Sequence, residues 1–384
     1  MIKYVPFSSV LSKVIDNRGR TCPTAATGKL LIATNCVTNN NLYPTYDTVR
    51  YVDDETMRTW FRGHPLPGDL LFVLKGTPGR VALVPDPVDF CIAQDMVALR
   101  ADPNKIYPRY LFAVLRSENI RQEIEGLHVG SLIPHFKKSD FNELKIPVVN
   151  EKLQEFIGDQ YLDFSLKIDL LTRQNKTLED LAQTYFRKWF VEDASEDWEE
   201  KGLDEIADFL NGLPLQKYPY KSGKSMNVIK IKELNSGYSE NTDICSSDVP
   251  EKYIVHPGDV IFSWSGSLVV DVWKYGEGAL NQHLFKVTSD KYPKWFYYFW
   301  VKYHLPEFRV IAESKATTMG HIQRSHLSAA RVLVPSDDEI KTMGDIMQPL
   351  VEKIEHNNAQ ILTLQKLRDT LLPKLISGEV RVKL

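Results

Sequence analysis

The sequence predicts an α+β chain of two pseudo-repeated β-rich modules, each followed by a long helix, with the two helices packed on each other. Three observations lead there. Pro-Gly-Asp followed by an apolar run occurs twice, in "LPGDLLFVLKGTPGRVALV" (66–84) and "HPGDVIFSWSGSLVVDVW" (256–273). The landmarks around these segments recur in the same order. Each module leads into a stretch whose apolar residues alternate at spacings of four and three, the seam of a coiled coil.

In order along the chain, Pro-Gly-Asp marks a turn, the apolar run after it a strand, and the glycine-containing segment a loop before the next strand. "QDMVAL" (94–99) answers to "NQHLFKV" (281–287). "IYPRYLFAVLRS" (106–117) and "KYPKWFYYFWVK" (291–302) each set Tyr-Pro before an aromatic-rich helix, whose rings suit a core better than base stacking. "HFKKSDFNELKIPVV" (135–149) parallels "HIQRSHLSAARVLVP" (321–335), and "LAQTYFRKWF" (181–190) parallels "LRDTLLPKLI" (367–376), both at an offset of 186 residues. The expected divisions are a first module over 1–149 and a first long helix over 150–190. An acidic linker with the second module follows over 191–335, then a second long helix over 336–376 and a tail over 377–384.

The first seam reads Ile157, Tyr161, Phe164, Ile168, Leu171, Asn175, Leu178, Ala182, Tyr185 and Trp189. The same offset gives Met343, Met347, Leu350, Ile354, Asn357, Ile361, Leu364, Arg368, Leu371 and Leu375. A helix of about 37 residues spans about 55 Å. The asparagine in each seam fits a register-fixing polar layer or a solvated edge equally well. Pro373 and Gly378 are expected to break the terminal helix.

Composition sets limits. Of 384 residues, 43% are hydrophobic and 25% charged, ordinary for a folded protein with more than one core. The net charge of −3 does not by itself support nucleic-acid binding, although the run "VEDASEDWEEKGLDE" (191–205) concentrates acid and leaves room for basic patches elsewhere. Cys22, Cys36, Cys91 and Cys245 are scattered and read as buried thiols, neither a disulfide framework nor a metal site. No apolar run is long enough to span a bilayer, and a cytoplasmic location is expected.

Catalytic patterns fail on spacing. "SGKS" (222–225) ends like a phosphate loop, but the first glycine would have to stand at Tyr218. "ELK" (143–145) has its nearest Pro-Asp far upstream at Pro85-Asp86, so a nuclease reading yields to surface charge. The nine histidines form no HExxH. There is no Asn/Asp-Pro-Pro-aromatic segment of the kind amino-methyltransferases carry. No catalytic residue and no metal ligand is assigned.

The duplicated Pro-Gly-Asp units, "NQH" (281–283), "ATTMGHIQRSHLSAARVLVP" (316–335) and the ending "LRDTLLPKLISGEV" (367–380) resemble the DNA specificity subunit of type I restriction–modification systems, over essentially the whole chain. The resemblance implies two target recognition domains separated by two long helices in an antiparallel coiled coil. Each domain would read one half of a split double-stranded DNA sequence while the helices set the spacer. It further implies two methyltransferase subunits as partners and, in a complete restriction complex, translocating nuclease subunits. S-adenosylmethionine and ATP with magnesium would belong to those partners, and this chain would bind no cofactor.

For DNA contact, four polar or basic loops stand out. In the first module Lys75, Thr77 and Arg80 lie on one loop, and His135, Lys137 and Lys138 on another. In the second, Lys217, Tyr218, Lys221 and Lys224 form one group, and Ser265 with His321, Gln323 and Arg324 complete the set. Arg80 is the best candidate for a bidentate guanine contact; the lysines suit phosphates. "LKGTPGR" (74–80) and "SWSGSLV" (263–269) are not interchangeable, so the two half-sites are expected to differ. Two other classes compete: a DNA-modifying enzyme with its own heads, which would need a cofactor loop, and a two-headed scaffold without a DNA role.

Overall fold

The computed structural model describes residues 2–17, 19–46, 50–127, 133–314, 320–380 and 382. Residues 316–319 of the resemblance segment and 381, 383 and 384 of the tail lie outside that set. The chain divides into two compact units, Met1–Leu171 with Thr363–Leu384, and Thr172–Leu362.

In the first unit a four-stranded antiparallel sheet runs in the order Leu11–Ile15, Met96–Ala101, Leu70–Val73, Val81–Leu83. A three-stranded sheet places Lys29–Ile32 between Arg50–Val52, antiparallel, and Phe90–Ile92, parallel. Lys3–Pro6 pairs with Lys145–Val148. Leu70–Val73 is buried at every position, as its unbroken apolar run requires of a strand covered on both faces.

The second unit repeats this plan. Its antiparallel sheet runs Asp208–Asn211, Leu284–Thr288, Val260–Ser263, Val270–Val272. A second sheet sets Ser225–Ile229 antiparallel to Ile244–Ser246 and parallel to Gly278–Leu280, and Glu199–Gly202 pairs with Arg331–Val334. Where the first unit has two short helices, Pro108–Leu115 and Glu118–Gly126, the second has one, Lys294–Ser314. Its "WFYYFW" residues, Trp295 to Trp300, are all buried in the core.

Both Pro-Gly-Asp turns work alike. Gly68 and Gly258 take φ of +82° and +97°, where a side chain would be strained. The following aspartate accepts the backbone N–H three residues back, Leu66 to Asp69 and His256 to Asp259, each at 2.8 Å. A cation on the neighbouring strand completes the turn. Arg100 forks onto the buried Asp69 at 2.8 and 2.9 Å, and Lys286 meets Asp259 at 2.7 Å.

The first long helix, Glu151–Arg187, has 37 residues and ends in a π-helical turn, Lys188–Glu192. The second, Asp337–Ser377, has 41 residues. Pro373 does not break it: the helix continues to Ser377 and stops at Gly378, whose φ is +77°. A proline inside a helix forfeits one backbone hydrogen bond, whereas a glycine at positive φ ends the helical path.

In the first unit, Ile157, Tyr161 and Leu162 share a core with Leu375 and Ile376. Gly158 is required there, because a Cβ would come within 2.6 Å of the Tyr110 backbone N. In the second unit, Ala182, Phe186 and Phe190 share a core with Ile340, Met347 and Val351. Asn175 meets Asn357 and Asn358, while Trp198, past the first helix, donates to Glu339 at the start of the second. Rising numbers face falling ones, so the two segments of this unit are antiparallel. Of the seam positions, Ile157, Ile168, Leu171 and Asn357 are buried; Phe164, Asn175, Leu178, Leu350, Ile354, Ile361, Leu364 and Leu371 are half-buried. All four cysteines are buried and free. Among the described residues no helix is long and apolar enough to cross a membrane, and no cluster of His, Cys, Asp or Glu could hold a metal ion.

Candidate nucleic-acid interface

In each unit the loop after the buried central strand is zipped to a segment far along the chain. In the first, Lys75 bridges His135, Gly76 N donates to Pro134 O at 3.0 Å, and Phe136 N donates to Leu74 O at 2.8 Å. In the second, Ser265 bridges His321, Gly266 N donates to Gly320 O at 2.8 Å, and Ile322 N donates to Trp264 O at 3.0 Å. The fold therefore joins Lys75, Thr77 and Arg80 with His135, Lys137 and Lys138, and joins Ser265 with His321, Gln323 and Arg324. Lys217, Tyr218, Lys221 and Lys224 stand on a separate loop of the second unit, held to the strand edge by Ser246 N donating to Tyr218 O at 2.9 Å.

Several candidates are engaged within the fold. Ser265 is buried, its Oγ 2.9 Å from His283 Nδ1. Tyr218 is half-buried against the small core around Leu215 and Val228. Arg324 donates to Phe209 O at 3.0 Å and lies over the Phe285 ring at 5.7 Å. Lys138 pairs with Asp16. His321 sits edge-on to Trp264, with 6.4 Å between ring centroids, and the backbone N–H of Gln323 donates to His326 Nδ1 at 2.9 Å. Lys137, Lys217, Lys221, Lys224, Thr77 and His135 are exposed, and Lys75 and Arg80 half-buried. Among the described residues the Arg80 guanidinium has no ion pair or hydrogen bond. Asn281 is buried beside the sheet, its amide donating to Gln282 Oε1 at 2.9 Å.

Arg80 opens onto a cleft of about 600 Å³ in the first unit, shared with Thr77, Asn39, Asn40, Arg121 and Glu125. The last four were not marked by the sequence. The polar run "TNNN" (38–41) after an apolar strand was the available signal for the asparagines. Behind the cleft stands Arg116, only 8% exposed. Burial lowers its pKa, but a guanidinium stays protonated at any ordinary pH.

The two units thus present the same backbone device, each with a histidine (His135, His321), but with Lys75 and Arg80 on the partner loop in the first and Trp264 and Ser265 in the second. The family model for the type I restriction modification DNA specificity domain matches residues 23–180 and again 195–366. The chain is 25% identical over 306 residues to the MjaIX specificity subunit of Methanocaldococcus jannaschii, covering 72% of this chain and 70% of that one. It is 22% identical over 320 residues to the MjaVIII specificity subunit of the same organism, covering 76% and 75%. The crystal structure of a type I restriction–modification S subunit from M. genitalium shares the fold, with a TM-score of 0.56 at 17% identity over 98% of this chain and 96% of that one. The chain belongs to the family defined by the type I restriction modification DNA specificity domain, and carries that domain twice.

Proposed function

We propose that this chain is the DNA specificity subunit of a type I restriction–modification complex, working in the cytoplasm. Each unit's module reads one half of a bipartite duplex sequence, and the paired helices fix the number of unread base pairs between the halves. The observation that carries this reading is the duplicated zipped loop: Lys75–His135 in one unit and Ser265–His321 in the other, the same scaffold bearing different chemistry. A repeated scaffold with unlike side chains suits two different half-sites, because phosphate contacts can be shared while base contacts must differ.

The chain's part is recognition without catalysis. Two methyltransferase subunits would supply methyl transfer from S-adenosylmethionine, and translocating nuclease subunits would use ATP and magnesium. The modest charge of −3 fits a subunit whose partners provide part of the phosphate contact. Single-molecule methylation sequencing of the source strain, with and without this gene, tests the reading. A gene-dependent motif split by an unread spacer supports it. No such motif, with the partner methyltransferase active, favours a scaffold without a DNA role.

A further inference from the structure

Building on that DNA-reading role, we infer that Asn40 reads an adenine in the first unit's half-site, beside the base taken by Arg80, and that buried Arg116 is the residue that positions it. Arg116 follows the helix Pro108–Leu115, and its guanidinium lies over Phe112 at 5.1 Å and Tyr161 at 5.9 Å. Its hydrogen bonds run to the backbone of one short loop: Nη1 donates to Asn41 O at 3.1 Å, and Nη2 donates to Asn39 O. A buried guanidinium is unfavourable where its donors are left unsatisfied. Nη1 and Nη2 are spent on a loop more than seventy residues away in sequence, while Nε is buried without a partner among the described residues.

The same loop is tied at further points. Asn39 Oδ1 accepts from Val81 N at 2.9 Å, next to Arg80, and Leu42 O accepts from Leu83 N at 2.9 Å. Asn40 stands between the tethered residues, exposed, with its amide making no hydrogen bond among the described residues. It borders the cleft that Thr77, Arg80 and Arg121 also line. Of the other cleft-lining residues, Arg121 pairs with Glu118, and Thr38 Oγ1 and Arg121 Nε are buried without a hydrogen-bond partner among the described residues. An asparagine amide matches adenine N6 and N7, an arginine fork matches guanine O6 and N7, and a loop already fixed loses little entropy on binding.

The test is methylation sequencing of the source strain with chromosomal variants, so that the chain acts with its own partners. Asn40→Ala should make one A·T position of one half-site degenerate, lowering discrimination there about tenfold or more, and leave the other half-site untouched. Arg116→Met should loosen the same position, and Arg116→Lys should do so less. An unchanged motif in Asn40→Ala, or methylation lost uniformly across the motif, overturns the base-reading role. A degenerate position that is not A·T overturns the adenine assignment. If Arg116→Lys weakens both half-sites alike, Arg116 is a core residue and no positioner. Absence of any gene-dependent motif in the unsubstituted strain would instead sink the DNA-reading role itself, and this inference with it.

Discussion

Arg80 and Lys221 are both cations on loops, yet their chemistry separates what each can contribute. A guanidinium is a planar fork suited to a base edge, and an ammonium is a point charge suited to a phosphate. Arg80→Ala is expected to relax one position of one half-site, costing about 1–3 kcal/mol of discrimination. Lys221→Ala is expected to weaken binding evenly across sequences and reduce the salt slope by about one. Binding of duplex variants over a salt series, with the chain in its methyltransferase complex, separates the two; a position-specific effect at Lys221 would reverse the assignment. A third residue acts on stability. Glu339 accepts from Ser336 N at 2.9 Å, Ser336 Oγ at 2.7 Å and Trp198 Nε1 at 3.2 Å, and the Ser336 bonds hold its pKa below the ordinary 4.5. Below about pH 4.5 the unfolded chain takes up the proton more readily than the folded one, so this contribution is whole above that pH and fades as pH falls. Glu339→Gln should therefore flatten the acid limb of the thermal stability profile, and an unchanged acid limb would remove Glu339 from the account. At this scale the Pro-Gly-Asp turns were legible, because a glycine at positive φ and an aspartate accepting from three residues back leave a fixed three-residue signature. Arg116 was not legible: its partners depend on how a helix and a loop meet after folding.

Among the elements, the long helices show where spacing informs and where it stops. Every position assigned to the seam is buried or half-buried, since alternating steps of three and four keep one helical face inward. Spacing could not say whether the asparagines lay in a layer or at an edge. Asn357 is fully buried; its Nδ2 donates to Gln174 Oε1 at 2.9 Å and Asn175 Oδ1 at 2.8 Å, and Asn175 Nδ2 donates to Asn358 Oδ1 at 2.8 Å. This is a polar layer within the second unit. Asn357→Ala removes the donor from two acceptors and should cost about 1–3 kcal/mol. Asn175→Leu with Asn357→Leu removes both ends of their mutual bond, with Gln174 and Asn358 each losing the same donor as in the single changes, and should be less destabilising than the two single changes added together. Urea denaturation of the full chain and its three variants gives the coupling energy; strictly additive losses would show that the layer does not act as a unit.

For the whole molecule, the helices matter as a length. Both compact units take part of each long helix, the division falling between Leu171 and Thr172 on the first and between Leu362 and Thr363 on the second. Under the ruler role proposed above, lengthening both helices at these points must lengthen the unread spacer. A seven-residue helical insertion at each point preserves the heptad phase and adds about 10 Å, close to three base pairs at about 3.4 Å each. Inserting in one helix alone would leave its residues without partners, so only the paired insertion tests length without testing pairing. Methylation sequencing of the double-insertion strain should return the same two half-sites separated by about three more base pairs. An unchanged spacer would reject the ruler, and altered half-sites with an unchanged spacer would move base reading from the loops to the helices.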